Sequence, residues 1–153
     1  MKYWILFSAS SLFLSMSLLS QVAPKLKVKQ IHLEYKSPNK SIEIKDTNLT
    51  ITQKKDVFDN PVSSIPSSST FEDRNYTLTK KEVYNLIKFI EETQFFHLKD
   101  SYGAPVGERS YPTTIRIIML GSEKEVVYRS NPSFESSPEA FRKLENYLVQ
   151  LRK

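Results

Sequence analysis

The chain has no cysteine, and only three glycines, two histidines and one tryptophan among its 153 residues. Without a thiol there is no disulfide, no thiolate metal site and no cysteine nucleophile, so apolar packing alone must hold the fold together. The histidines, His32 and His97, lie far apart and outside any metal-ligand spacing, so no metal is expected. No glycine-rich loop is present to cradle a phosphate, and no Gly-x-Ser-x-Gly elbow singles out a nucleophilic serine. No cofactor is expected either. Long runs of one charge are also missing. The formal net charge of +5 is dispersed along the chain, too weak a footprint for nucleic acid. Lys25, Lys27 and Lys29 alternate on one strand face, where lysines oppose edge-to-edge association of sheets. Asn48-Leu49-Thr50 and Asn75-Tyr76-Thr77 match the glycosylation sequon and are read as chance matches.

The most distinctive segment is the first. Residues 1–20 carry one lysine, no acid and a nearly continuous apolar stretch, followed by small residues at which a signal peptidase can cut, after Ser17 or Ser20. This is the pattern of a signal peptide, and it predicts a periplasmic or extracellular protein that meets the membrane only before cleavage. The alternative is an uncleaved anchor, because the apolar stretch of about seventeen residues is at the lower limit for a bilayer span. Ser8, Ser10, Ser11 and Ser15 interrupt it and favour cleavage. An acylated lipoprotein would need a cysteine at the cut.

Residues 21–153 suffice for a single domain with its own core. Alternation through Lys25, Lys27 and Lys29 and then Ile31, Leu33 and Tyr35 predicts a half-buried strand with a bulge or a late start near Val28. Ile42 and Ile44, then Leu49 and Ile51 across Asp46-Thr47-Asn48, predict a hairpin. Residues 53–74 hold Pro61, Pro66 and Ser67-Ser68-Ser69 with little periodicity, and are expected to form a flexible insertion. A short strand over residues 76–78 then leads to Thr79-Lys80-Lys81-Glu82, a capping box opening a helix whose buried stripe is Val83, Leu86, Ile87 and Ile90. Strands over 113–120 and 125–129 follow, joined through residues 121–124. A last helix is capped by Ser137, with Pro138 in its first position and Phe141, Leu144, Leu148 and Leu151 on its inner face. The pattern is an α+β fold: an antiparallel sheet with two helices packed on one face, in the order β-β-β-(loop)-β-α-β-β-α. In the first helix Lys80 and Lys81 occupy the positive end and Glu91 and Glu92 the negative end, against the macrodipole.

The site-bearing segment is residues 99–112, where two of the three glycines, Gly103 and Gly107, stand among Asp100, Tyr102, Glu108, Arg109 and Tyr111. Tyrosine and arginine are enriched at binding hot spots. Asp100, Glu108 and Arg109, with His97, are also the acid and base candidates for a small periplasmic hydrolase, since paired carboxylates suit glycosidic cleavage. A small domain offers little room for the cleft this chemistry needs, so the segment reads as a binding surface and the protein as no enzyme. If both tyrosines turn inward, the loop is structural instead.

Strand, Thr79-Lys80-Lys81-Glu82-Val83-Tyr84-Asn85-Leu86-Ile87, then Phe95-Phe96-His97-Leu98-Lys99-Asp100-Ser101-Tyr102-Gly103, then a strand pair and the Phe141-Arg142-Lys143-Leu144-Glu145-Asn146-Tyr147-Leu148 helix resembles small exported bacterial domains of unknown function. More distantly, residues 76–153 are similar to emfourin-type proteins, small inhibitors of thermolysin-like metalloproteases. The Gly-Gly-Phe turn of that group is absent; Ser37-Pro38-Asn39-Lys40 stands in the corresponding region, and no inhibitory residue carries over. The sequence therefore predicts an exported binding module that contacts a protein or envelope component, with a secreted protease inhibitor and a small hydrolase as the alternatives.

Overall fold

A computed structural model describes residues 30–57 and 66–152. The leader, the lysine-rich start of the expected first strand and residues 58–65 of the expected insertion lie outside them. The described chain is α+β: a seven-stranded sheet with two helices. In chain order the strands are β1 (Ile31–Lys36), β2 (Lys40–Lys45), β3 (Asn48–Val57), β4 (Ser68–Thr77), β5 (Ser101–Gly103), β6 (Tyr111–Met119) and β7 (Ser122–Ser130). The helices are α1 (Lys80–Glu92) and α2 (Glu139–Gln150).

Across the sheet the order is β4-β3-β2-β1-β6-β7-β5. The first four strands form an antiparallel meander, and β1 closes against β6 with Leu33 opposite Ile117. The sheet is mixed rather than purely antiparallel, because β5, which the sequence pattern did not reveal, pairs parallel with β7. Three residues are too few to show an alternation.

Alternation sorts the two faces. Ile31, Leu33, Tyr35, Ile42, Ile44, Leu49, Ile51, Ile115, Ile117 and Val126 are buried, and their cross-strand registers place them on one side. The inner stripes of both helices join the same apolar cluster: Val83, Leu86, Ile87 and Ile90 from α1, and Phe141, Leu144 and Leu148 from α2. Burying each such side chain contributes about 1.5–3 kcal/mol before entropy is set against it. The two helices meet through Phe89 and Tyr147, whose rings stack at 4.7 Å. At the start of α1 the Glu82 N–H donates to the Thr79 hydroxyl at 3.2 Å and the Glu82 carboxylate accepts from the Thr79 N–H at 2.7 Å, completing the expected box.

Three expectations are corrected. Residues 53–57 and 68–74 are strand and not loop, so β4 is far longer than the expected segment at 76–78. They escape periodicity because both faces of this ribbon meet water; side-chain hydrogen bonds, Thr52 to Asp73 at 2.7 Å and Ser69 to Asp56 at 2.8 Å, supplement its main-chain ladder. At α2 the N-cap is Pro138, with no side-chain cap, and Ser137 is a buried residue one position earlier. The link between β6 and β7 is the tight pair Leu120-Gly121, so both strands run longer than expected.

Candidate binding surface

β6 and β7 end together, with Tyr111 opposite Ser130, and the two loops that continue from this end, 104–110 and 131–138, lie side by side. Each loop is tied to the sheet. Gly103 adopts φ +81, and a Cβ there would fall 2.2 Å from the Arg129 carbonyl oxygen, so only glycine lets β5 approach β7 this closely. The next residue, Ala104, is buried and its N–H donates to that same carbonyl at 2.9 Å. The Arg129 guanidinium donates to the Ser101 hydroxyl at 2.8 Å. Pro105 to Glu108 then form a turn closed by the Glu108 N–H on the Pro105 carbonyl, with Gly107 at φ +100 in the position where such a turn demands it.

Asn131 joins the two loops. Its side-chain amide donates to the Arg109 carbonyl at 2.8 Å, and its side-chain oxygen accepts from the Ser133 N–H at 2.9 Å. Its own carbonyl accepts from the Phe134 N–H, closing a second turn around Pro132. On this braced frame Val106, Tyr111 and Phe134 are exposed by 85%, 61% and 41%, and Arg109 is exposed between them in sequence. Large apolar side chains left in water beside a cation are the composition of a contact patch.

The predicted site residues separate into two groups. Glu108, Arg109 and Tyr111 lie on the exposed frame. Tyr102 is half-buried against the core, and its hydroxyl accepts the Lys99 N–H at 2.9 Å, so it pins the start of the segment as the inward alternative requires. Asp100 holds the β5 end to β7, its carboxylate paired with Lys124 and its carbonyl accepting from the Val127 N–H at 2.9 Å. His97 sits in a single 3₁₀ turn, Phe95–His97, with its side chain exposed. Among the described residues no hydrogen bond or ion pair joins any two of Asp100, Glu108, Arg109 and His97, and no group of three His, Asp or Glu side chains is placed to hold a metal. Sequence reasoning missed Val106, Asn131 and Phe134; the Asn131-Pro132 dipeptide, a turn signal, was the available clue.

The solvent face of the sheet carries a second array, of charged side chains around His32. Glu34 accepts from Lys36 at 2.7 Å and lies 3.4 Å from both His32 and Arg116, while Arg116 pairs with Glu123 at 2.7 Å. The Lys36 hydrogen bond is the main reason that the Glu34 carboxyl is held below its ordinary pKa. An open depression of about 600 Å³ at the opposite end of the strands is bounded by His32, Asp46, Met119 and Leu120. Of the misoriented charges of α1, Glu92 pairs with Lys88 at 3.5 Å.

No protein family matches the chain, and no curated protein shows significant similarity to it. No helix among the described residues is long and apolar enough to cross a membrane.

Proposed function

We propose that the chain is an exported, non-enzymatic binding module whose contact surface is the braced strand end bearing Val106, Arg109, Tyr111 and Phe134. The observation that carries the reading is the combination of exposure and restraint: apolar and cationic side chains project into water from loops whose backbones are fixed by Gly103, Ala104 and Asn131. A preorganised loop forfeits little entropy on binding, so the contact free energy of its aromatic residues is largely retained. Tyrosine and arginine at such a position are typical anchors, each costing about 2 kcal/mol or more when truncated at the centre of an interface. The partner that fits is a protein or envelope component presenting an apolar recess with an acidic rim. Export, read from residues 1–20, places that partner outside the cytoplasm.

The same restrained projection supports a second reading, a protease inhibitor, because an inhibitory loop must resist deformation in the protease cleft. A pull-down from the native extracellular fraction, followed by a titration against thermolysin-like proteases, separates the two. Arg109→Ala, Tyr111→Ala and Phe134→Ala are expected to lose the captured partner with an unchanged thermal midpoint. Retention of the partner by all three variants would place the interaction elsewhere.

A further inference from the structure

Strand β4 is terminal in the sheet, and nine of its ten residues are exposed. Its pairing with β3 fixes which main-chain groups are left over. The Leu78 N–H donates to the Thr47 carbonyl at 2.7 Å, which with the register Asn48 opposite Thr77 makes the even-numbered residues of β4 the ones bonded to β3. The N–H and C=O groups of Ser69, Phe71, Asp73, Asn75 and Thr77 therefore point away from the sheet, a continuous row with no ladder partner among the described residues. Such a row is a template for another strand.

We propose that this edge pairs with the same edge of a second copy of the chain, antiparallel about a two-fold axis at Asp73. The charges along β4 select the occupant and the register. Centred on Asp73, the two strands pair over residues 69–77, the whole free row: Phe71 bonds opposite Asn75 of the second copy and Ser69 opposite Thr77. Between these bonded pairs lie the close pairs, and there Glu72 meets Arg74 of the second copy twice over, with opposite charges at the shortest cross-strand spacing. Shifting the axis to residue 72 brings Glu72 against Glu72, and shifting it to residue 74 brings Arg74 against Arg74; both place like charges in the close position. The one like-charged meeting in the favoured register, Asp73 with Asp73, falls at the wider bonded spacing, and each carboxylate is already drawn toward its own strand pair by the Thr52 hydroxyl at 2.7 Å. Within one chain Glu72 and Arg74 are neighbours at 3.3 Å, so the exchange of partners needs only side-chain rotation. The product is an isologous dimer with a continuous fourteen-stranded sheet, formed from two copies of the seven-stranded one.

Sedimentation equilibrium of the purified protein tests this. The wild type is expected to sediment with twice the mass of one protomer at tens of micromolar, and Glu72→Arg and Arg74→Glu are each expected to sediment as monomers. Mixed in equal amounts, these two variants are expected to regain the doubled mass, because each supplies the charge that the other lacks. Phe71→Pro, which removes an outward N–H and leaves the bonds to β3 intact, is expected to abolish the dimer while the thermal midpoint measured at low concentration stays within a few degrees of wild type. A wild type that remains monomeric at several hundred micromolar overturns the proposal. So does a dimer that survives Phe71→Pro, or one in which the charge variants fail to recombine.

Discussion

Tyr35 and Glu145 show how one polar pair is accommodated at the edge of the core. Tyr35 is buried on the inner face of β1, and its hydroxyl donates to the Glu145 carboxylate of α2 at 3.2 Å. Desolvation is the larger influence on Glu145 and raises its pKa above the ordinary 4.5; the Tyr35 hydrogen bond opposes this in part. A folded state that holds its proton to higher pH has this contribution to stability in full below the unfolded value of 4.5, and loses it as the pH climbs through the folded-state value. Glu145→Gln is therefore expected to raise the melting temperature at pH 7 and to leave it nearly unchanged at pH 4, as thermal scans at the two pH values would show. Tyr35→Phe, which removes the hydroxyl that donates to that carboxylate, should cost about 1 kcal/mol by urea titration at pH 7. Glu82 behaves in the opposite sense. Thr79 holds its carboxyl below the ordinary value, first through the backbone N–H, and Arg152 adds to the effect at 2.8 Å. The stability this confers is present above the unfolded pKa and fades as the pH falls, so Glu82→Gln should narrow the difference in melting temperature between pH 7 and pH 3.

At the scale of elements, the helices and the inner strands were legible in the sequence, and the ribbon and β5 were not. The capping box, Val83 through Ile90, and Phe141 through Leu148 repeat with a helical period because one side of each helix faces oil and the other water. β3 beyond Thr52 and nearly all of β4 have water on both faces, so no apolar signal marks them, and Ser68, Ser69 and Thr70 look like a linker. β5 is set by its partner instead: Gly103 and the Arg129 carbonyl make the strand. Gly103→Ala should accordingly destabilise the protein by about 2 kcal/mol or more, read from denaturant titration, through both the positive φ and the blocked approach to β7. Leu86→Ala and Leu144→Ala, each buried in the shared cluster, should cost about 2–5 kcal/mol on the same measurement. The candidate surface was half legible for a related reason. Glu108, Arg109 and Tyr111 declare themselves by type and by the glycines around them, whereas Asn131 and Phe134 join them only because β6 and β7 end together.

For the molecule as a whole, two kinds of surface divide the sheet: a braced strand end at the β6–β7 side and an open main-chain edge at β4, five strands across. Pairing through β4 would leave both copies of the strand end unobstructed, so a partner displayed at high density would be held at two points, and its apparent affinity should fall when Phe71→Pro is introduced although no contact residue has changed. Surface plasmon resonance at high and low partner density would reveal this as a difference confined to the dense surface. The position of β1 has a consequence of another kind. Its neighbour on one side, β2, follows it directly in the chain, while its neighbour on the other, β6, is synthesised only after both the meander and α1. The meander can zip up from nearby pairings, but the central seam between Ile31 and Met119 must wait for a loop closure that spans more than half of the polypeptide. Folding is thus gated by its last third. A chain emerging from its N-terminus would stand as a half-sheet with β1 unsealed, kept open until β6, β7 and α2 arrive to close it.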